Sequence, residues 1–248
     1  MTNQYAVALP LNDFFKLQIE QLHLSTADQH ASLPEQAGKL MSEITCHIID
    51  YIFTDMVKKF SEAKDVAVEK LLSFKESLQQ IEEIKGIIRK YFSWAVAWFN
   101  AKRLKPVISH YYQLIEYCEI DNNTMPCLIY SIPDEMAEKA LLSLHELKNM
   151  NASNALQAIE CLIDVVDVGV TKMLKEPKDL LKFNFIANKT LDGVITMTTA
   201  LSYKSLRKLG SAMDSQLHQS ASNHLQQFIV PVAGSLFNPH EAADTNLG

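Results

Sequence analysis

The sequence is poor in glycine, with 7 glycines in 248 residues, and its 8 prolines are spread thinly. A β-sandwich or a nucleotide-binding α/β fold usually needs more turn glycines than this. The low glycine content therefore argues against both classes and favours a chain built from helices. The length is sufficient for one large domain or two small ones with a substantial core.

The sequence also lacks the short motifs of catalysis and metal binding. There is no Gly-x-Ser-x-Gly elbow, phosphate loop or dinucleotide fingerprint, and no pair of Glu-x-x-His motifs of the kind that di-iron bundles use. Among the 8 histidines, His47 and His110 are the candidates for a pocket, although His110 is also explained as an ordinary hydrogen-bonded side chain near a loop. We therefore predict that the protein is not an enzyme and has no cofactor or metal.

Cysteine pairs and long apolar runs are missing as well. The cysteines at 46, 118, 127 and 161 form no Cys-x-x-Cys pair and no zinc spacing, so we expect free thiols in a reducing cytoplasm. The N-terminal MTNQYAVALPLNDFF lacks the basic start and apolar core of a signal peptide. No apolar run reaches the roughly 18 residues of a transmembrane helix, so no membrane-spanning segment is expected.

Positive charge is scarce overall but not everywhere. The formal net charge of −6 argues against a nucleic-acid-binding protein, whose footprint is usually basic. Residues 172–209 nevertheless hold eight Lys or Arg against three Asp or Glu. A solvated helix face explains this excess, and attraction to an anionic partner is the alternative. We predict no nucleic-acid partner.

Helical periodicity is present in nearly every segment. Asn12 is suited to cap a helix over 13–24, and Ser32 precedes another helix. The strongest pattern, over 71–99, places apolar residues at alternating steps of three and four, which is typical of coiled-coil packing. The predicted fold class is all-α, an antiparallel bundle of long amphipathic helices.

The stretch DNNTMPCLIYSIP has two prolines and no helical period, so we predict a loop at 121–133. This loop separates an N-terminal helical region, 1–120, from a C-terminal helical region, 133–230, and a flexible tail follows at 231–248. One continuous bundle is the alternative.

Two short segments suggest an internal repeat. KKFSEAKDV (58–66) and KMLKEPKDL (172–180) share Lys, Glu, Lys and Asp at one fixed offset. Each follows an isoleucine-containing helix with a cysteine. The match indicates two helical-hairpin repeats, with coincidence as the alternative.

The sequence predicts a junction between two helices in KEPKDLLKFNFIANKTLD, at 175–192. Pro177 is expected to end one helix because it lacks a backbone N–H, and Asp179 is expected to cap the next.

The segment ELKNMNASNALQAIECLIDVVDVGVTKMLKEPKDLLKFNFIANKTLDGVITMTTALSYKSLRKL resembles the phasins, the coat proteins of bacterial polyhydroxyalkanoate granules. In that family a helix ends in a short, often acidic or proline-containing break, and a Leu-Leu-rich segment opens a second amphipathic helix. The resemblance covers residues 138–228. It implies a non-catalytic, self-associating protein that coats a polyester granule or another hydrophobic surface in the cytoplasm. The aromatic-rich first half of this chain has no counterpart in the family.

The resemblance implies that one face of the last long helix contacts a hydrophobic surface, while flanking lysines keep their charges in water. The contact candidates are Leu180, Leu181, Phe183, Leu191, Val194 and Ile195, and the flanking basic residues are Lys175, Lys178, Lys182 and Lys189.

The same apolar residues serve equally well as core between two helices. The main alternative function is a soluble helical-bundle module for protein–protein interaction or regulation. A further alternative is a helical enzyme or small-ligand binder with a pocket near His47 or His110.

Overall fold

The computed structural model describes residues 4–25, 32–62, 68–96, 99–120, 123–148, 155–212 and 215–232. It confirms the predicted fold class, because helices dominate the described chain and are accompanied by a small four-stranded sheet. No described helix is both long and apolar enough to cross a membrane. Most of the predicted tail, from 233 onward, lies outside the described residues, and Ile229–Pro231 forms a strand.

The first half of the described chain contains two strands, five α-helices and a π-helical turn. In order these are β1 (Tyr5–Pro10), α1 (Asp13–Ser25), α2 (Leu33–Ile49), π-turn 1 (Asp50–Thr54), α3 (Asp55–Ser61), α4 (Val68–Val96), α5 (Ala101–Leu114) and β2 (Ile115–Ile120).

The second half follows the same order. It consists of β3 (Asn123–Ile132), α6 (Asp134–Lys148), α7 (Ala155–Val170), π-turn 2 (Thr171–Lys175), α8 (Glu176–Leu181), α9 (Phe185–Ala212), α10 (Ser215–Gln226) and β4 (Ile229–Pro231). The two halves are therefore two copies of one structural repeat.

Equivalent positions in the two repeats differ by 121 over most of their length. This is the difference between Asp13 and Asp134, where α1 and α6 begin, and between Asp50 and Thr171, where the π-turns begin. At the last helices, α5 and α10, the difference falls to 114 (215 less 101). A repeat was predicted, but its alignment of 58–66 with 172–180 was wrong, because it set α3 against π-turn 2 instead of α8.

The sheet has the strand order β2-β3-β1-β4. The two equivalent strands β1 and β3 pair antiparallel in its centre, with Val7 opposite Tyr130, and the equivalent strands β2 and β4 lie at its edges. The sheet thus has the two-fold relation of the repeats. One face, including Val7 and Leu128, joins the main core, and the other face, including Ala8 and Cys127, forms a second apolar cluster.

The predicted loop at 121–133 is wrong, because β3 occupies most of it. The residues from Cys127 to Tyr130 are buried on both faces of the sheet, so the segment lacks the alternation that identifies a half-buried strand. A strand, β2, also occupies the end of the N-terminal helical region that was predicted to extend to 120.

Two of the four cysteines are bonded to each other, contrary to the expectation of free thiols. Cys118 on β2 and Cys127 on β3 form a disulfide with Cα atoms 6.1 Å apart, whereas Cys46 and Cys161 are free and buried. The cytoplasmic location, which was inferred partly from free thiols, stays a prediction.

The helices form one core with contributions from both repeats. In this core α2 packs on α4, α7 packs on α9, and α4 packs on α9 between the repeats. The last helix of each repeat reaches the other repeat, since α5 contacts α8 and α10 contacts α3. The centre of the molecule is therefore an approximate two-fold axis.

Candidate functional site: a cavity between the repeats

A cavity of about 130 Å³ lies where the two repeats meet. Its walls come from α2, α4 and π-turn 1, from the equivalent α7, α9 and π-turn 2, and from the central strands. Ten pairs of lining residues stand 121 positions apart, among them Leu9 and Tyr130, Ile48 and Gly169, and Ile81 and Ser202. The cavity is thus a feature of the repeat interface itself.

The walls of the cavity are mainly apolar, and none of the described residues that line it carries a charge. Most lining hydroxyls are already used within their own helices. Thr198 donates to the Val194 carbonyl at 2.8 Å, and Ser202 donates to the Thr198 carbonyl at 2.9 Å. An apolar occupant or a larger side chain in this space would bury more of its walls and so add stability.

The second repeat has the smaller side chains around the cavity. Ile81 and Ile84 of α4 are matched by Ser202 and Ser205 of α9, and Ile48 is matched by Gly169. Much of the space therefore comes from substitutions that distinguish the second repeat from the first.

Tyr130 explains why Gly169 is a glycine. A Cβ atom added at Gly169 would lie 2.7 Å from the Tyr130 hydroxyl oxygen, which is too close for any real contact. The Tyr130 side chain is buried, with 5% exposure, and burial raises the pKa of its hydroxyl. No hydrogen bond of this hydroxyl is found within the described part of the chain, and its oxygen is not among the fully buried atoms that lack a partner.

π-turn 2 allows the chain to continue through Pro177, so the predicted break at this proline is wrong. The Glu176 N–H bonds to the Thr171 carbonyl five residues earlier, and this wider turn removes the clash that Pro177 causes in a regular α-helix. The break comes later, at Lys182, whose φ of 50° lies in the left-handed region. Asn184, not Asp179, caps the next helix, by accepting a hydrogen bond from the Ala187 N–H at 2.9 Å.

The carbonyls of the π-turns are hydrogen-bonded by side chains of the other repeat. His110 Nε2 on α5 lies 2.7 Å from the Lys172 carbonyl of π-turn 2, and His224 Nε2 on α10 lies 3.1 Å from the Tyr51 carbonyl of π-turn 1. The histidines are 114 positions apart and the carbonyls 121, as in the repeats. Since a carbonyl only accepts, each histidine carries a proton on Nε2. These two contacts form a reciprocal clamp across the axis.

Two tyrosines add hydrogen bonds to the carbonyls of π-turn 2. Tyr111 donates to the Met173 carbonyl at 2.7 Å, and Tyr91 donates to the Leu174 carbonyl at 3.2 Å. The Met173 carbonyl is the one that Pro177 leaves without its helical donor. Met173 and Leu174 also line the cavity, so this wall is held at the backbone.

An ion pair is found near π-turn 1. Lys85 is buried and donates to both carboxylate oxygens of Asp50, at 2.7 and 2.9 Å, and to Glu82 at 2.6 Å. Burial favours the uncharged forms, but the hydrogen bonds outweigh it. They hold the pKa of Asp50 below its usual range and that of Lys85 above. The equivalent residues in the second repeat are Thr171 and Leu206.

The contact face predicted from the sequence is divided between core and surface. Leu181, Leu191 and Ile195 are buried, Phe183 and Val194 are partly buried, and Leu180 is 38% exposed. In this folded state the three buried residues cannot touch an external surface.

The four predicted basic residues are also differently placed. Lys178 is buried and paired with Asp192 at 2.5 Å, and Lys175 is paired with Asp167 at 3.4 Å. Lys182 ends α8, whereas the ammonium of Lys189 lies 4.7 Å from the centre of the Phe185 ring. Lys189 therefore lies beside exposed apolar surface at the start of α9, and Lys182 is exposed three residues before Phe185 in the chain.

That exposed surface consists of residues which the sequence did not single out. Phe185 and Ile186, here called the Phe185–Ile186 patch, are 73% and 77% exposed. They were missed because the contact face was chosen for its helical period, and this period selects the buried side of α9.

Neither histidine proposed for a pocket lines the cavity. His47 lies against the Phe15 ring, 5.2 Å away, and His110 belongs to the clamp. Among the described residues no group of three potential metal ligands is found. The absence of enzymatic activity stays a prediction.

The internal repeat was the sequence signal that could have located the cavity, because its lining residues stand 121 positions apart in pairs. This signal is weak, since few residues are identical at that offset.

No family model matches this chain, and neither a curated protein nor a solved structure is similar to it.

Proposed function

We propose that the protein binds a small apolar ligand in the cavity between the repeats. The observation that carries this proposal is an uncharged cavity of about 130 Å³, which both repeats line at equivalent positions. An engineered cavity of about 150 Å³ with similar walls binds benzene, so a ligand with about six non-hydrogen atoms fits.

The clamp supports the proposal because it fixes the walls independently of any occupant. The histidine and tyrosine contacts hold the π-turns by their backbone, so the space does not depend on a ligand for its shape. π-helical turns are frequent at functional sites, since they displace side chains from the regular helical positions. Here they place Ile52 and Met173, which are at equivalent positions of the two repeats, in the lining of the cavity.

Thermal stabilisation by benzene, toluene and cyclohexane tests the proposal. A ligand at about ten times its dissociation constant adds about 1.4 kcal/mol of stability, which raises the Tm of a protein of this size by about 3–6 °C. The blocking variant is Ser202→Ile, which introduces the residue of the first repeat at the equivalent position.

Thr196→Ile is the matched control, because Thr196 is exposed on the same helix. We expect stabilisation of the wild type and of Thr196→Ile, and little or none of Ser202→Ile. Equal stabilisation of all three proteins, or of none, contradicts binding in the cavity.

A second candidate function is attachment to a hydrophobic surface, as the resemblance to phasins implies. The observation that favours it is the Phe185–Ile186 patch, with Lys182 and Lys189 beside it. Side chains this exposed can contact a polyester granule without unfolding the core, at about 1.5–3 kcal/mol for each one fully buried. The same patch is available for self-association.

Co-sedimentation with polyhydroxybutyrate particles tests this second function, with silica beads and anionic liposomes for comparison. The variant is Phe185→Ser with Ile186→Ser, and the control is Phe14→Ser with Leu17→Ser, which removes two exposed apolar side chains from α1. Binding to polyester alone, lost only in the first variant, supports the granule function. A protein that stays in the supernatant with every particle does not have it.

A further inference from the structure

The polar groups of the cavity are not equally available to a ligand. The lining hydroxyls of Thr45, Thr198, Thr199 and Ser202 each donate to a backbone carbonyl one turn earlier in their own helix, at distances of 2.8–2.9 Å. Ser77 and Ser205 also have partners. Tyr130 differs, because no hydrogen bond of its hydroxyl is found within the described part of the chain, and the side chain lines the cavity.

The position of Tyr130 makes this difference specific to one side of the cavity. The first repeat has Leu9 at the equivalent place, so its wall is apolar where the second repeat offers a phenol. A hydroxyl without a protein partner at the cavity wall is available to a ligand atom that accepts a hydrogen bond, and this hydrogen bond adds to the affinity. Because burial raises the pKa of Tyr130, the hydroxyl keeps its proton at neutral pH and can donate it.

The charge of the ligand is restricted by the same walls. None of the described lining residues is cationic or anionic, and an isolated charge is very costly to bury without a partner. A carboxylate or an ammonium is therefore excluded, whereas a neutral hydroxyl or carbonyl is accepted.

From these observations we infer that the cavity selects a neutral, benzene-sized molecule with one hydroxyl or carbonyl group, which Tyr130 hydrogen-bonds. This inference rests on the proposed function and deepens it. The apolar body of the ligand faces Leu9, Ile48 and Ile81 of the first repeat, and its polar atom faces Tyr130 beside Gly169.

Phenol and toluene provide the test, because they have nearly the same shape and differ by a hydroxyl in place of a methyl group. Their affinities are measured by titration calorimetry for the wild type, for Tyr130→Phe and for Tyr117→Phe. Tyr117 is the matched control because it is an exposed tyrosine that does not line the cavity. One net hydrogen bond corresponds to about a fivefold change in affinity.

We expect Tyr130→Phe to weaken phenol binding about fivefold and to leave toluene binding unchanged, while Tyr117→Phe changes neither. Tyr130→Leu, which introduces the residue of the first repeat, is a second variant that also removes the preference for phenol. Benzoate is expected not to bind.

The outcomes separate the inference from the proposed function. If toluene and phenol bind but Tyr130→Phe weakens neither or both alike, the cavity is a binding site and the role of Tyr130 is wrong. If benzoate binds as well as phenol, the restriction to neutral ligands is wrong. If neither toluene nor phenol binds the wild type, the proposed function and the inference both fail.

Discussion

The two repeats share the parts that build the frame and differ in the parts that face the cavity. The order of elements, the π-turns and the clamp histidines, His110 and His224, occur in both. In contrast, Leu9 and Ile48 of the first repeat correspond to Tyr130 and Gly169 of the second. The frame is thus two-fold symmetric, whereas the walls of the cavity are not.

The difference indicates what each part does. If the cavity were only a packing defect, isoleucine at positions 202 and 205 could fill it. The first repeat has isoleucine at the equivalent positions, Ile81 and Ile84. The second repeat has serine at both positions instead, which leaves the space open. The asymmetry of the walls therefore supports the proposal that the cavity binds a molecule.

The largest loss of stability is expected when Gly169 of the second repeat is replaced by isoleucine, the residue at the equivalent position of the first repeat. In Gly169→Ile, which copies Ile48, the new Cβ atom would meet the Tyr130 hydroxyl at 2.7 Å, and such overpacking costs about 3 kcal/mol. Adding Tyr130→Leu, which copies Leu9, should restore most of the loss. Urea unfolding of both variants measures this. If the double variant is as unstable as the single one, Tyr130 is not the reason for the glycine.

The next effect concerns the Asp50–Lys85 ion pair of the first repeat, which the equivalent residues Thr171 and Leu206 of the second repeat cannot form. Asp50→Asn leaves buried Lys85 with Glu82 as its remaining carboxylate partner, and we expect a loss of about 1–2 kcal/mol, less than for a fully buried pair because Asp50 is partly exposed. Asp50→Thr with Lys85→Leu copies Thr171 and Leu206 of the second repeat. This double variant should be more stable than Asp50→Asn in urea unfolding. A further loss would mean that the repeats are not interchangeable here.

The smallest effect is a pH dependence of the clamp. Burial lowers the pKa of His224, and the charge of Lys59 adds to this, although hydrogen bonds to the Ile52 and Tyr51 carbonyls and the charge of Asp55 oppose it. Because the pKa of His224 is lower in the folded state, the stability contributed by its neutral form is present above the unfolded-state pKa of about 6.5. This stability is lost as the pH falls through the folded-state pKa.

His224→Gln tests this dependence, since glutamine can still donate to the carbonyls but does not titrate. Between pH 7 and pH 5 the wild type should lose stability relative to the variant, as measured by urea unfolding at each pH. The same pH profile for both proteins contradicts a neutral, buried His224.

Much of the fold could be predicted from the sequence, because long helices leave a strong period. Asn12 caps α1 as predicted, by accepting a hydrogen bond from the Phe15 N–H at 3.0 Å, and α2 begins directly after Ser32. The sheet could not be predicted in the same way, because β3 is buried on both faces and β2 continues directly from a helix.

The candidate site was harder to predict than the fold. A cavity depends on which side chains are small where elements meet, and no local pattern marks Gly169 or Ser202 as lining residues. The sequence indicates an interruption at Pro177 but predicts the end of a helix there. The π-turn that accommodates Pro177 could not be predicted locally, because it depends on hydrogen bonds from His110 and Tyr111 in a distant part of the chain.

The measurement that tests the cavity most directly is a benzene titration followed by NMR of isoleucine δ1 methyl groups. Ile48, Ile52 and Ile84 line the cavity, whereas Ile19, Ile108 and Ile163 are buried elsewhere. We predict progressive shifts of the first group, little change in the second, and no such shifts in Ser202→Ile. Unchanged spectra, or equal shifts in both groups, would contradict binding between the repeats.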